Sequence, residues 1–254
     1  SQLSEKVEGR LSIGTSQGLE IQLFMIAQGL GTAESLIATK ASGITKLEEM
    51  KGKKIAVPVG STAHYSLMGA LAHAGISEAD VTIVNLPADQ IAAAWDSGQV
   101  DAAFIWEPVQ NRILQSGTFI VGADQTAAWG FPTFDGWVVN AEFAAANPDQ
   151  MVAFAKTMNE ANMAYLSDPA AWTADSAPVM KIAEVTGAAA DQVPSILKGF
   201  TFIPLADQLA PNWLGGAAAN MKTTADFLVV AGRIDAAIED YAPFVNTAIA
   251  EAAK

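Results

Sequence analysis

Up to Asn140, short apolar runs alternate with alanine-rich stretches whose apolar positions recur every three or four residues. The runs have the length of buried strands and the stretches have the period of amphipathic helices, which together predict a sheet covered by helices. Strands are expected over Glu20–Ala27, Glu34–Thr39, Lys54–Pro58, Val81–Leu86, Ala102–Trp106, Phe119–Val121 and Phe134–Val139. Between them, Ser61–Ala74 reads as a helix: a hydroxyl N-cap opens it, Leu67, Met68 and Leu71 fall at helical spacing, and Gly75 stops it. Gln90–Asp96 and Val109–Gln115 read as further crossover helices. After Asn140 helical stretches dominate, over Asp149–Leu166, Pro178–Thr186, Asp191–Lys198, Gly216–Gly232 and Ala242–Ala253.

This order predicts an α/β protein of two lobes. The chain would leave the first α/β unit near Thr39–Gly43, build a second, and return near Phe131–Gly136. The expected first lobe is residues 1–42 with 132–254, including the C-terminal helices, and the second lobe is 43–131. A ligand cleft is expected between them. The length of 254 residues and the 51% hydrophobic content leave ample apolar surface to bury in two such units.

Charge and residue types narrow the chemistry. With 14 Lys plus Arg against 27 Asp plus Glu, the formal net charge is −13, which repels a polyanion and argues against nucleic-acid binding. An anion held by such a chain needs a local set of oriented donors. There is no cysteine, so disulfides, thiolate metal sites and thiol catalysis are excluded. His64 and His73 lie nine residues apart in one predicted helix, on opposite faces, so they form no metal pair. No run approaches the roughly 20 apolar residues of a membrane span.

The junction Val57-Pro58-Val59-Gly60-Ser61-Thr62-Ala63-His64-Tyr65 joins a strand to a helix start rich in hydroxyls. First-turn N–H groups, the helix dipole and the hydroxyls of Ser61 and Thr62 suit an anion there, with His64 in reach. The same residues also suit simple capping. No lysine follows the glycine as in a phosphate loop, and no GxGxxG follows a strand. Glu34 and Asp135 each interrupt an apolar setting. A carboxylate there is a strand-edge or turn residue, or it awaits a cation. Trp106 ends a predicted parallel strand, where ligand crevices form in open sheets, and a tryptophan there serves equally as core.

Extended motifs carry a resemblance. They are Gly-Thr-Ala-Glu-Ser at 31–35, Gly-Lys-Lys-Ile-Ala-Val-Pro at 52–58, Ser-Thr-Ala-His-Tyr at 61–65, Phe-Ile-Trp-Glu-Pro at 104–108 and Trp-Gly-Phe-Pro-Thr-Phe-Asp-Gly-Trp-Val-Val at 129–139. From Gly18 to its C-terminus the chain resembles the periplasmic taurine-binding proteins of ABC importers, within the broader sulfonate- and nitrate-binding group. The helix start is shared across that group, and the Trp-Gly-x-Pro-Thr-x-Asp segment marks the taurine branch.

The resemblance implies a two-lobed type II periplasmic binding fold, without catalysis, metal or cofactor. The implied ligand is taurine or a related small sulfonate, delivered by a periplasmic monomer to an ABC permease in the inner membrane. Ser61 and Thr62 with their amides, and Tyr65, would hold the sulfonate. Glu34 and Asp135 would bracket the ammonium, and Trp106 would pack on the carbon link. Other readings are a binding protein for another alkanesulfonate, an enzyme on the same scaffold such as a pyrimidine synthase, and a ligand-sensing domain of a regulator. Family members carry a first strand, a first helix and a serine-containing loop ahead of the segment matching Gly18. Ser1–Gly14 is expected to supply at most one strand and one helix end, leaving the first lobe incomplete at its N-terminus.

Overall fold

The computed structural model describes residues 3–254, with side chains from Leu11 onward. In chain order the main elements begin with β1 (Leu3–Val7), α1 (Glu8–Ser16), β2 (Ile21–Gly29), β3 (Glu34–Thr39), β4 (Lys54–Val57), α2 (Thr62–His73), β5 (Thr82–Asn85), α3 (Ala88–Asp96) and β6 (Ala102–Trp106). They continue with α4 (Val109–Leu114), β7 (Gly117–Gly122), α5 (Ala123–Ala128), β8 (Phe134–Asn140), α6 (Ala141–Ala146), α7 (Pro148–Ser167), α8 (Ala177–Thr186), α9 (Val193–Gly199), α10 (Ala217–Val230) and α11 (Thr247–Ala253). Ser1–Gly14 thus contains a strand and most of a nine-residue helix, more than the expected strand and helix end. The expected last helix is shorter, because Val245 bridges Leu23 and the Asn246 N–H donates to the Leu23 carbonyl at 2.7 Å, which holds the chain extended before α11.

The chain forms two compact units, one of Ser1–Gly29 with Phe134–Lys254 and one of Leu30–Thr133. The first crossing therefore falls at Leu30 and not at residue 43. Its cause is β3, which pairs with β6 and β7 and so belongs wholly to the second unit's sheet. Glu34, expected in the first lobe, goes with it.

In the first unit β8 lies between β1 and β2, antiparallel to both. Leu23, Phe24, Met25 and Ile26 of β2 are all buried, so both faces of this strand are covered. Helix α10 contributes Met221, Ala225 and Leu228 to the same core at helical spacing, and the Ser12 hydroxyl of α1 donates to the Met221 carbonyl at 3.2 Å. Register along β2 shifts between Ile26 and Gln28. There the buried Gln208 side chain accepts from the Ile26 N–H and donates to the Ile26 carbonyl, both at 2.9 Å, supplying bonds the irregular ladder lacks.

The second unit has a five-stranded sheet, order β5-β4-β6-β3-β7, in which β5, β4 and β6 are parallel and β3 runs against β6 and β7. Alternation along the strands decides which helix each residue meets. Leu36, Ala38, Ile55, Val57, Ala102 and Phe104 pack with Leu67 and Leu71 of α2. Ile37, Ala56, Ala103 and Ile105 pack with Ile91 and Trp95 of α3 and Ile113 of α4. Burying both faces explains why these strands read as continuous apolar runs. Helix α2 also approaches Phe131 closely: the ring occupies the space a side chain at Gly69 would need, so only glycine fits there.

Candidate functional site

The second unit's topology gathers the candidate residues at one edge of its sheet. Parallel β4 and β6 both end there, at Val57 and Trp106, and antiparallel β3 begins there, with Glu34 in register with Trp106. Glu34 shares strand parity with Leu36 and Ala38, which directs it to the α2 face. Parity sends Ser35 to the opposite face, where the Gln110 Nε2 of α4 donates to its hydroxyl at 2.9 Å and to the Thr32 carbonyl at 3.0 Å.

Between β4 and α2 the chain turns through Pro58–Ser61, with Gly60 at φ 84°, a left-handed conformation that favours glycine. The Val59 N–H donates to Asn85 Oδ1 at 3.1 Å, tying the turn to the end of β5. Ser61 caps α2, its hydroxyl oxygen accepting from the His64 N–H at 3.2 Å. The N–H groups of Thr62 and Ala63, first in the helix, have no acceptor within it, and the helix dipole favours negative charge beside them.

Glu34 of β3 meets the hydroxyl face of the same helix. Its carboxylate is 1% exposed and accepts from the Thr62 hydroxyl at 2.6 Å and from the Ser66 hydroxyl at 3.4 Å. Thr62 and Ser66 lie four residues apart, hence on one face of α2. The acid that sequence assigns to the ammonium and a hydroxyl that sequence assigns to the sulfonate are therefore bonded to each other. Ser66 was not singled out from sequence, although its spacing from Thr62 was visible. Gln110 carried no sequence signal.

The other candidates divide. His64 is buried, and its Nδ1 accepts from the Gly60 N–H at 3.2 Å, which makes it part of the turn. Tyr65 is buried with its ring 5.4 Å from that of Phe131. Trp106 is half-buried, at the margin of the α2-side cluster. His73 is exposed near the end of α2 and stacks on Trp129, centroids 3.7 Å apart and planes 3° from parallel. After Trp106, burial lifts the Glu107 carboxyl above its ordinary pKa of 4.5, opposed by the Asn111 N–H it accepts at 3.3 Å.

Asp135 belongs to the other unit, on β8. It is half-buried and accepts from Gln28 Nε2 at 2.9 Å, the register shift in β2 having placed Gln28 opposite it. Just before β8, the buried Thr133 hydroxyl makes no hydrogen bond. Among the described residues no group of three or more acidic or histidine side chains could hold a metal ion, and no helix is long and apolar enough to cross a membrane.

Solved structures share this fold. The aliphatic sulphonate binding protein SsuA from Escherichia coli matches with a TM-score of 0.76 at 21% identity, over 94% of this chain and 77% of that one. The desulfurization enzyme DSZB matches with a TM-score of 0.68 at 15% identity, over 100% of this chain and 85% of that one, so the scaffold also carries catalysis. These likenesses define the class as an α/β protein of the periplasmic binding fold. The chain belongs to the NMT1/THI5-like family, which matches residues 7–171. The Taurine-binding periplasmic protein of Escherichia coli strain K12 is 37% identical over 237 residues, covering 93% of this chain and 73% of that protein.

Proposed function

We propose that this chain is the solute-binding component of an ABC importer, that it captures taurine in the periplasm, and that it delivers it to an inner-membrane permease. The observation that carries this reading is the 37% identity to a taurine-binding protein over 93% of the chain. The start of α2 supports it, since it joins amides and a half-buried serine hydroxyl suited to a sulfonate with a buried acid suited to an ammonium. In this reading Ser61 and the first-turn amides hold the sulfonate, with Tyr65 and His64 behind them. Glu34 serves the ammonium and Trp106 packs on the carbon link, and the family resemblance adds Asp135 to the acids that serve the ammonium.

Isothermal titration with taurine and with ethanesulfonate tests the reading. Ethanesulfonate has the same sulfonate but no amine, and it leaves two acids without their cation, at a cost of a few kcal/mol, about a hundredfold in affinity. Asp135→Ala should weaken taurine far more than ethanesulfonate. Equal affinity for the two ligands in the parent protein would remove the ammonium from the proposal. Recovery of the bound ligand unchanged separates a binder from an enzyme on this scaffold.

A further inference from the structure

We infer that the Thr62 hydroxyl serves the cationic end of the ligand as an acceptor, and that the anionic end is held by Ser61 and the first-turn amides without it. The inference rests on the taurine reading above and reverses the role that sequence gives Thr62.

A hydroxyl has one proton and two lone pairs. Thr62 donates its proton to Glu34 at 2.6 Å, within the short range of a hydroxyl on a carboxylate. Turning that proton toward a sulfonate would take the closer of two α2 hydroxyls away from an acid that is 1% exposed. A buried charge loses most when its hydrogen bonds are removed. What Thr62 offers a ligand is therefore lone pairs, beside a carboxylate, and both attract an ammonium and repel a sulfonate oxygen.

Ser61 has the opposite polarity. Its oxygen accepts from the His64 N–H at 3.2 Å, so its own proton is available to donate, and the side chain is half-buried where Thr62 is 5% exposed. Two consecutive hydroxyls at one helix start are thus set as a donor and an acceptor. A zwitterion with a short link needs one of each, and a plain alkanesulfonate meets the acceptor with nothing to give it.

Titration of Ser61→Ala, Thr62→Val, Thr62→Ser and Glu34→Gln against taurine and ethanesulfonate tests this, with thermal melts of each ligand-free variant to confirm folding. Thr62→Val should cut taurine affinity about tenfold or more and ethanesulfonate less than about threefold, and Thr62→Ser should restore most of the lost preference. Ser61→Ala should weaken both ligands together. In Glu34→Gln the carboxamide oxygen still accepts from Thr62 while the negative charge beside the cationic end is lost, so taurine should weaken and ethanesulfonate should not. This variant decides the matter if Thr62→Val fails to fold. Parallel losses for both ligands in Thr62→Val or in Glu34→Gln overturn the inference while leaving the taurine reading intact. A parent protein that does not distinguish the ligands overturns that reading and this inference with it.

Discussion

Two single side chains at the sheet edge have consequences that separate cleanly from ligand binding. Ser61 satisfies a first-turn N–H of α2, so Ser61→Ala should lower the ligand-free unfolding free energy by about 1 kcal/mol, read from a urea denaturation midpoint at unchanged slope. Glu107 is a pH-dependent liability. Burial raises its carboxyl pKa above 4.5, so between the ordinary and the raised value the folded chain binds more protons than the unfolded one. Stability from this group therefore falls as pH rises through that window, with the penalty absent below it and fully present above it. Glu107→Gln keeps an acceptor for the Asn111 N–H and removes the charge. Its melting temperature should exceed the parent's at about pH 7 and match it at about pH 4. An equal gain at both pH values would assign the effect to packing. Glu34 was legible in the sequence as a charge inside an apolar run; its hydroxyl partners were not, because the spacing of Thr62 and Ser66 fixes their common helix face but not the strand beneath it.

Elements were read well where their signals are local. Helix α2 carries its cap, its apolar period and its stop within one stretch, and the structure places Thr62–His73 inside the expected span. The buried strands of the second unit are apolar runs with turn residues at their ends, and they too lie where periodicity puts them. The allegiance of β3 was not legible, because strand pairing depends on distant partners, and nothing in Glu34–Thr39 itself distinguishes one sheet from another. The missed role of Gln110 has the same origin. This α4 side chain, 5% exposed, clamps the Thr32 carbonyl and the Ser35 hydroxyl on either side of Glu34. Gln110→Leu takes that donor from the buried Ser35 hydroxyl, at about 1–3 kcal/mol for an unsatisfied buried group. A denaturation midpoint lowered by about 2 kcal/mol equivalent is expected. Because the clamp also aims Glu34, the taurine-to-ethanesulfonate preference should narrow in this variant even at temperatures where it is fully folded. Lost stability with an undiminished preference would make Gln110 a packing residue alone.

Net charge acts on the molecule as a whole and discriminates ligands independently of any single contact. At −13 the protein repels ethanesulfonate, a monoanion, over distances set by the Debye length, whereas zwitterionic taurine has no net charge on which that long-range field can act. Raising ionic strength from about 20 mM to about 200 mM shortens the Debye length from about 20 Å to below 10 Å and screens most of this repulsion. Ethanesulfonate affinity should therefore rise with salt while taurine affinity stays level, so the preference for taurine is widest at low salt. Local contacts respond in the opposite sense: the ion pairs a bound ligand makes with oriented amides and acids are desolvated and weaken little on screening, and what weakening occurs lowers affinity. The sign of the salt effect on ethanesulfonate thus tells long-range repulsion from local attraction. Isothermal titration at the two ionic strengths, with a salt whose anion is too large for the α2 start, reads it directly. A fall in ethanesulfonate affinity with salt would mean that the donors at Ser61 and the first turn govern the anion at long range as well as in contact.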